Sequence, residues 1–216
     1  MTRPETTAVR LGDLLAMAPL AGTRQSDDED GDQTPFVSAS LVGSGIGAIT
    51  QVPADRTSRA VKGRLATRGD ILLASRGIER RATVPGAMVA VDERLAFSES
   101  LVMIRVDPDR ADPEYVRLYL TSAVGAAALA AVATGTTITY LRPEGLAGLT
   151  LHLPALEGQR RAAVKVAALN DGLASLEATA EAYRALVVTT TEGIITGELQ
   201  ARVGDHPRQT RGGRRR

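Results

Sequence analysis

Residues 134–161, TGTTITYLRPEGLAGLTLHLPALEGQRR, mark the point where the sequence changes from one repeating pattern to another. The alternation LTLHL over 149–153 places three leucines on one face and two polar residues on the other, which predicts a half-buried strand. Pro154 lacks the N–H that a strand interior needs, so it ends the strand. Glu157 follows at a point where a carboxylate suits the positive end of a helix. The stretch therefore predicts a strand that passes directly into a helix.

The segment 155–192 is predicted to be one long helix, because its apolar residues recur at alternating intervals of four and three residues. This heptad seam consists of Ala162, Val166, Leu169, Leu173, Leu176, Ala180, Tyr183 and Val187. Thr189, Thr191 and Gly193 predict that the helix frays near residue 190, after about 33 residues and roughly 50 Å.

Two arrangements would bury the seam. The helix either packs on its own domain as an ordinary amphipathic helix, or it pairs with a second chain or a partner protein. Gly172 lies beside the seam and costs about 1 kcal/mol relative to Ala. A kink or a close helix crossing is therefore expected near Gly172, and both arrangements stay open.

Ahead of residue 134, short apolar runs bounded by turn residues predict a mostly β core. The strongest candidate is 70–74, whose length and flanks are typical of a buried strand. Segment 9–18 fits either a strand or a short helix. The remaining predicted strands are 36–42, 83–91 and 101–106.

Segment 113–133 is predicted to be a single helix. Asp112 can cap its N-terminus, and Pro113 suits its first turn. Apolar side chains repeat along it at helical spacing, at Val116, Leu120 and Val124.

The formal net charge of +1 hides an uneven distribution. From Arg202 onward six arginines and one acid carry +5, so residues 1–201 carry −4, with five acids in 27–32. Because nucleic-acid-binding proteins normally present a basic face, the charge balance alone does not point to DNA. Segment 193–216 is predicted to be a basic disordered tail, which either contacts phosphates without sequence preference or serves only solubility.

Composition excludes several classes of function. The sequence has no cysteine, which excludes disulfides and thiolate metal sites. We see no signal-peptide core and no run of the roughly 18 apolar residues that a membrane span needs, so we expect a cytoplasmic protein. The two histidines, His152 and His206, lie on a strand face and in the tail, so we predict neither catalytic residues nor a metal site.

Two fragments imitate enzyme motifs. The glycines of 43–47 would need a helix directly after them to bind a nucleotide or S-adenosylmethionine, but Pro53 interrupts that segment. The run DPEY at 112–115 is close to the D-P-P-Y signature of adenine methyltransferases, with Glu114 in place of a proline. Since its first two residues already suit a helix start, we favour a chain that is not an enzyme.

Three segments, in order, resemble the DNA specificity subunit of type I restriction-modification systems. RGDILLASRG at 68–77 resembles the central strand of its target recognition domain, and SLVMIRVDPDRADPEYVRLYLTS at 100–122 resembles its strand-to-helix unit. Segment 134–161 resembles the end of that domain, with a glycine-threonine turn, an apolar strand ending in LP-x-L, and a QRR helix start. The resemblance covers roughly residues 11–188.

The resemblance implies an α/β (α+β) target recognition domain with a mixed, mostly β core at 1–154, followed by a long coiled-coil-forming helix at 155–192. It implies a non-catalytic subunit that reads one part of a bipartite site in double-stranded DNA. The implied partners are an N6-adenine methyltransferase subunit, which alone would hold S-adenosylmethionine, and, in full complexes, a restriction or translocase subunit.

This chain has one recognition unit where the family usually has two in tandem. We therefore expect a homodimer joined through antiparallel helices, or pairing with a longer specificity chain. The alternative is a protein-interaction adaptor of a defence complex that does not read DNA itself.

The candidate DNA contacts are cations and hydroxyl groups, because arginine binds guanine bidentately or phosphates, and hydroxyls orient on backbone oxygens. Most of the cations lie in the loop 56–68, and the hydroxyls lie in the glycine-threonine turn. The predicted residues are Arg56, Arg59, Lys62, Arg64, Arg68, Arg76, Arg80, Thr136, Thr137 and Tyr140. For Arg76 a rival interpretation is that a carboxylate such as Glu99 holds it to brace the fold.

Overall fold

The computed structural model describes residues 5–24, 33–39, 42, 57–59, 64–76, 87–89, 94–135 and 139–197. The strands are β1 (Thr7–Arg10), β2 (Leu20–Ala21), β3 (Gln33–Val37), β4 (Thr57–Arg59), β5 (Ile71–Ala74), β6 (Ala87–Val89), β7 (Ala96–Phe97), β8 (Leu101–Ile104) and β9 (Thr150–Leu153). The helices are α1 (Pro113–Leu120), α2 (Ala123–Val132), α3 (Pro143–Ala147) and α4 (Leu156–Thr196), and Leu11–Leu14 forms a 3-10 turn.

The described strands form three sheets. The largest has the order β2-β8-β5-β6, with antiparallel neighbours and Ile71 opposite Ile104 at one end of the central pair. A second sheet, β4-β3-β7, combines an antiparallel and a parallel pair, and β1 pairs antiparallel with β9. The predicted fold class, a mixed and mostly β core followed by a long helix, is confirmed.

The central strands β5 and β8 are buried on both faces. Ile71 and Leu73 belong to a core cluster with the helices and β9, whereas Leu72 belongs to a second cluster on the opposite face. Successive side chains of a strand point to opposite faces, so a strand covered on both sides needs an unbroken apolar run. The run ILLA is such a sequence, and the buried strand predicted at 70–74 is confirmed.

The strand predicted from the LTLHL alternation is also confirmed. The three leucines at 149, 151 and 153 are buried, while Thr150 and His152 are exposed. The strand ends at Leu153, directly before Pro154. Its partner is β1, so this pair joins two segments that lie far apart in the sequence.

The bounds of several other predicted strands need correction. Segment 36–42 was expected to be one strand, but β3 spans Gln33–Val37. Strand β8 ends at Ile104, and Val106 then forms an isolated bridge with Leu15. Segment 9–18, for which a strand or a short helix was expected, contains the end of β1 and a 3-10 turn.

The single helix predicted over 113–133 is wrong, because the chain forms two helices bent by 76°. As predicted, Asp112 caps α1, its Oδ1 accepting from the backbone N–H of Tyr115 at 2.8 Å. A second cap then starts α2, where the Ser122 hydroxyl accepts from the N–H of Gly125 at 3.1 Å. A Cβ at Gly125 would lie 2.0 Å from the carbonyl oxygen of Tyr119, so only glycine permits this close turn.

The bend changes which residues face the core. Val116 and Leu120 are buried as their spacing predicts, but Val124 is 64% exposed. A helical stripe continues only while the helix axis is straight, so the stripe ends where α1 ends.

Among the described residues no single helix is both long and apolar enough to cross a membrane, and only the bent pair α1 and α2 meets the length and composition criteria together.

Asp70 lies between the turn at Arg68–Gly69 and β5, and its side chain is buried. Its carboxylate accepts hydrogen bonds from Arg105 at 2.7 and 2.6 Å and from the backbone N–H of Thr67 at 2.7 Å. The same carboxylate raises the pKa of Arg105 above its ordinary value, chiefly through the hydrogen bond. Asp70 therefore ties the turn at Gly69, where φ is 89°, to the segment after β8.

Helix α4 spans 41 residues, about 60 Å at roughly 1.5 Å per residue. It is continuous through Gly172, and the fraying predicted near residue 190 is wrong, since the helix ends at Thr196. By contacts the chain divides into two units, Met1–Ala168 and Leu169–Arg216. In the second unit the large apolar residues of the predicted seam, from Leu169 to Val187, are 54–73% exposed.

Candidate nucleic-acid interface

The candidate site forms where the segment after β5 meets the loop that precedes α3. The backbone N–H of Leu141 donates to the carbonyl of Ser75 at 2.7 Å. The backbones of Arg76 and Tyr140 form an isolated antiparallel β-bridge. Thr134 and Tyr140 exchange two backbone hydrogen bonds of 2.9 and 2.8 Å, which closes the loop between them. Gly135 begins this loop with φ of 111°, a conformation that favours glycine. The loop thereby brings a tyrosine beside an arginine that is distant in sequence.

Tyr140 is held by a second arginine, Arg142. The Nη2 of Arg142 donates to the phenol oxygen at 2.8 Å, and its Cζ lies 5.4 Å from the ring centroid. In an extended segment, residues two apart project from the same face, which explains the pairing. The hydrogen bond from Arg142 lowers the pKa of the exposed Tyr140 phenol, with smaller contributions from Thr134 and from the charge of Arg142.

We expect Tyr140 to ionise at a lower pH than an ordinary tyrosine. An ultraviolet titration of the four tyrosines should show one early transition, which Tyr140→Phe removes. Arg142→Gln removes the donor that favours the phenolate, so it should move that transition back towards the ordinary range. An early transition unchanged in both variants would contradict this assignment.

A cleft of about 460 Å³ opens beside this pair. Buried Val102 and Leu141 contribute apolar surface, and Arg76, Glu99 and Arg142 contribute charge. Arg76 lies 3.3 Å from Glu99, as the rival interpretation of Arg76 predicts, but its side chain remains 55% exposed. Exposed ion pairs of this kind contribute about 0–1 kcal/mol, so Arg76 is free to exchange its carboxylate for a phosphate. The cleft has a net charge of +1 and suits an anionic ligand with an apolar face.

The structure brings together two of the ten residues predicted to contact DNA, Arg76 and Tyr140. Arg64 and Arg68 are described and exposed, outside the residues that line the cleft. Arg59 lies in β4, but its side chain is outside the described part of the structure, and so are five further predicted residues, Arg56, Lys62, Arg80, Thr136 and Thr137. Sequence reasoning missed Arg142, although the spacing of Tyr140 and Arg142 in a turn-flanked segment was a usable signal.

The methyltransferase-like run DPEY at 112–115 makes contacts within the fold. Asp112 and Glu114 of the methyltransferase-like run have structural duties, the first as the α1 cap and the second in an ion pair with Arg117. In the described ranges no three histidine, aspartate or glutamate side chains gather in a way that could hold a metal ion.

No family model and no curated protein matches the sequence. Solved structures do match the fold. One, from a study of complex assembly and conformational transition of the type I R-M system, aligns with a TM-score of 0.62 at 19% identity, over 90% of this chain and 45% of that chain. The type I restriction-modification S subunit from M. genitalium aligns with a TM-score of 0.60 at 15% identity, over 91% and 47%. The HsdS subunit from Thermoanaerobacter tengcongensis gives 0.52 at 20% identity, over 82% and 40%.

The chain has the fold of a type I S subunit. It spans about half the length of the S-subunit chains that it matches. In this S-subunit fold Tyr140 and Arg142 lie directly before α3, and α4 follows directly after β9. The resemblance inferred from three short segments is therefore confirmed at the level of fold.

Proposed function

We propose that the chain is a non-catalytic DNA specificity subunit of a type I restriction-modification system. It reads one part of a bipartite duplex site and directs an N6-adenine methyltransferase subunit, and in cleaving complexes a restriction or translocase subunit, to that site in the cytoplasm. S-adenosylmethionine is held by the methyltransferase. The observation that carries the proposal is the S-subunit fold over about nine-tenths of the chain.

Within this proposal residues 1–154 form the target recognition domain, Leu156–Thr196 the spacer helix and the segment from residue 197 onward a basic tail. The cleft of Arg76, Tyr140 and Arg142 supports a DNA contact, because guanidinium groups bind phosphates and guanine edges, and an aromatic ring adds an apolar face. The exposed Arg64 and Arg68, with the rest of the loop 56–68, supply further cations.

The exposed seam of α4 supports a homodimer, because an apolar heptad stripe is stabilised by another helix. Two copies related by a two-fold axis would read inverted half-sites. Pairing with the helix of a longer specificity chain uses the same stripe and is distinguished by the mass of the purified chain alone.

Arg142→Gln is expected to weaken duplex binding about 5–10-fold, because a lost phosphate contact removes about 1 kcal/mol and lowers the slope of log affinity against log salt by about one. Fluorescence anisotropy on a labelled duplex, titrated at several salt concentrations, measures both quantities. Arg161→Gln is the matched control, since Arg161 is exposed, lies outside the cleft and pairs only with Glu157 among the described contacts. Equal effects of the two substitutions would contradict a specific role of the cleft.

An adaptor that binds partners without reading DNA is a second candidate, favoured by the exposed seam and by the acidic charge of residues 1–201. The two functions differ in salt dependence. A DNA reader loses affinity for duplex as salt rises, whereas an adaptor shows no salt-sensitive duplex binding even with the methyltransferase present.

A further inference from the structure

The seam of α4 continues one heptad beyond Val187. Since the helix extends to Thr196, Thr190 and Ile194 take the next two positions in the four-three spacing. Every seam residue from Leu169 to Ile194 is exposed in the single chain. The stripe to be covered therefore contains eight seam residues. It extends over about 38 Å, at roughly 1.5 Å per residue.

We infer that a second copy of α4 covers this stripe in antiparallel orientation, with the two-fold axis level with the peptide between Glu181 and Ala182. The inference rests on the homodimer of the proposed function and specifies its register. In an antiparallel coiled coil the two kinds of seam position face each other across the interface. The facing pairs, each formed twice by symmetry, are Leu169 with Ile194, Leu173 with Thr190, Leu176 with Val187, and Ala180 with Tyr183.

Side-chain volume supports the antiparallel orientation. Next to the axis the smallest seam residue, Ala180, faces the largest, Tyr183, so the two fill one layer together. In a parallel pair Ala180 would face Ala180 and Tyr183 would face Tyr183, because like positions meet in parallel coiled coils. That pairing leaves a gap in one layer and crowds the next, and both faults cost stability.

Charge selects the register among the antiparallel alternatives. Glu177 and Arg184 are charged residues that follow seam positions directly, at the edge of the stripe. In the inferred register Glu177 of each copy comes within two residues, about 3 Å along the helix axis, of Arg184 of the other. A shift of one heptad would instead bring Glu177 against Glu177 or Arg184 against Arg184. Such like-charge contacts exclude wrong pairings, so only the inferred register joins opposite charges at this edge.

Glycines border the opposite edge of the stripe. Gly172 and Gly193 each precede a seam residue, and the inferred register places Gly172 of one copy within two residues, about 3 Å along the helix axis, of Gly193 of the other. A Cβ added at Gly172 would meet nothing within 4 Å in the single chain, so the fold of one chain does not require glycine there. A close approach of two helices does require small residues. The pairing thus gives a reason for a residue that otherwise weakens the helix.

Disulfide trapping tests the register, because the chain has no cysteine of its own. The double variant Leu176→Cys/Val187→Cys should give a covalent dimer under mild oxidation without DNA, since each cysteine faces its counterpart in the second copy. Either single variant should stay unlinked, because its two copies lie 11 residues apart, roughly 16 Å, whereas disulfides need Cα atoms within about 7 Å. The same distance prevents a disulfide within one helix. Ala178→Cys, on the outer face, is the matched control and should also stay unlinked.

Self-linking of Leu176→Cys would overturn the inference in favour of a parallel pair. An unlinked double variant would overturn it as well, whether the protein is a monomer or a dimer in another register. Duplex binding by the wild-type chain is measured separately. If the wild-type chain did not bind duplex but the double variant still formed the disulfide-linked dimer, the proposed function would be rejected and the inferred register would be retained.

Discussion

Replacing Leu176 with aspartate is expected to turn the dimer into a monomer at micromolar concentration. Leu176 faces Val187 of the second copy in the inferred register, and each dimer contains this layer twice. Burying a carboxylate among apolar side chains without a partner costs several kcal/mol. Two such sites should raise the dimer dissociation constant by about a thousand-fold or more, since about 1.4 kcal/mol is a factor of ten.

Sedimentation equilibrium of the wild type and the variant measures this change. Leu176 is 69% exposed in the single chain, so the substitution leaves the folding of residues 1–168 nearly unchanged. Ala178→Asp places the same charge on the outer face of the same helix and should remain dimeric. A Leu176→Asp protein that sediments as a dimer would contradict the use of this stripe.

Strands β5 and β9 could be predicted because each has one dominant pattern of apolar residues. The alternation around β9 reports one buried face, and the unbroken run of β5 reports two buried faces. In both cases the residues at stake are apolar and regularly spaced. Burial of apolar side chains is the largest favourable contribution to folding. The burial observed in the two strands therefore matches the burial that their sequence patterns predict.

Capping competition explains where the prediction of helix 113–133 failed. Thr121 and Ser122 lie within a helical period, but the Thr121 hydroxyl donates to the carbonyl of Arg117 at 2.9 Å and Ser122 caps the next helix. Such side chains offer the backbone partners that compete with a continued helix. The sequence is compatible with one continuous helix and with two helices. The close contact at Gly125, which favours two helices, forms only when the helices pack.

The candidate cleft was half predictable for a related reason. Arg76 and Tyr140 were named from residue type, but their contact depends on the backbone bridge between two segments 64 residues apart. Arg142 escaped notice because its partner is a phenol rather than a carboxylate. The length of α4 was underestimated because threonine and glycine near residue 190 weaken a helix by only a fraction of a kcal/mol to about 1 kcal/mol each.

Glu114→Ala is expected to destabilise the folded protein by about 3 kcal/mol, the lower end of the cost of breaking a buried ion pair from one side, because the Glu114 side chain is 28% exposed. Arg117 is fully buried, and its Nε donates to Oε2 of Glu114 at 2.8 Å while its Nη2 donates to Oε1. Without the carboxylate the buried guanidinium loses the charged group that accepts hydrogen bonds from two of its nitrogens. Chemical unfolding followed by circular dichroism measures the shift in midpoint.

Glu157→Ala is the matched control, because Glu157 also lies in the first turn of a helix and pairs with an arginine, Arg161, but both side chains are exposed. Exposed pairs contribute about 0–1 kcal/mol, so the control should shift stability by less than about 1 kcal/mol. Glu114→Ala/Arg117→Met should recover much of the lost stability, since removing the buried cation removes the penalty as well. If Glu114→Ala cost no more than Glu157→Ala, the DPEY run would lack the structural duty assigned to it. Its nearness to a methyltransferase signature would then again require a chemical explanation.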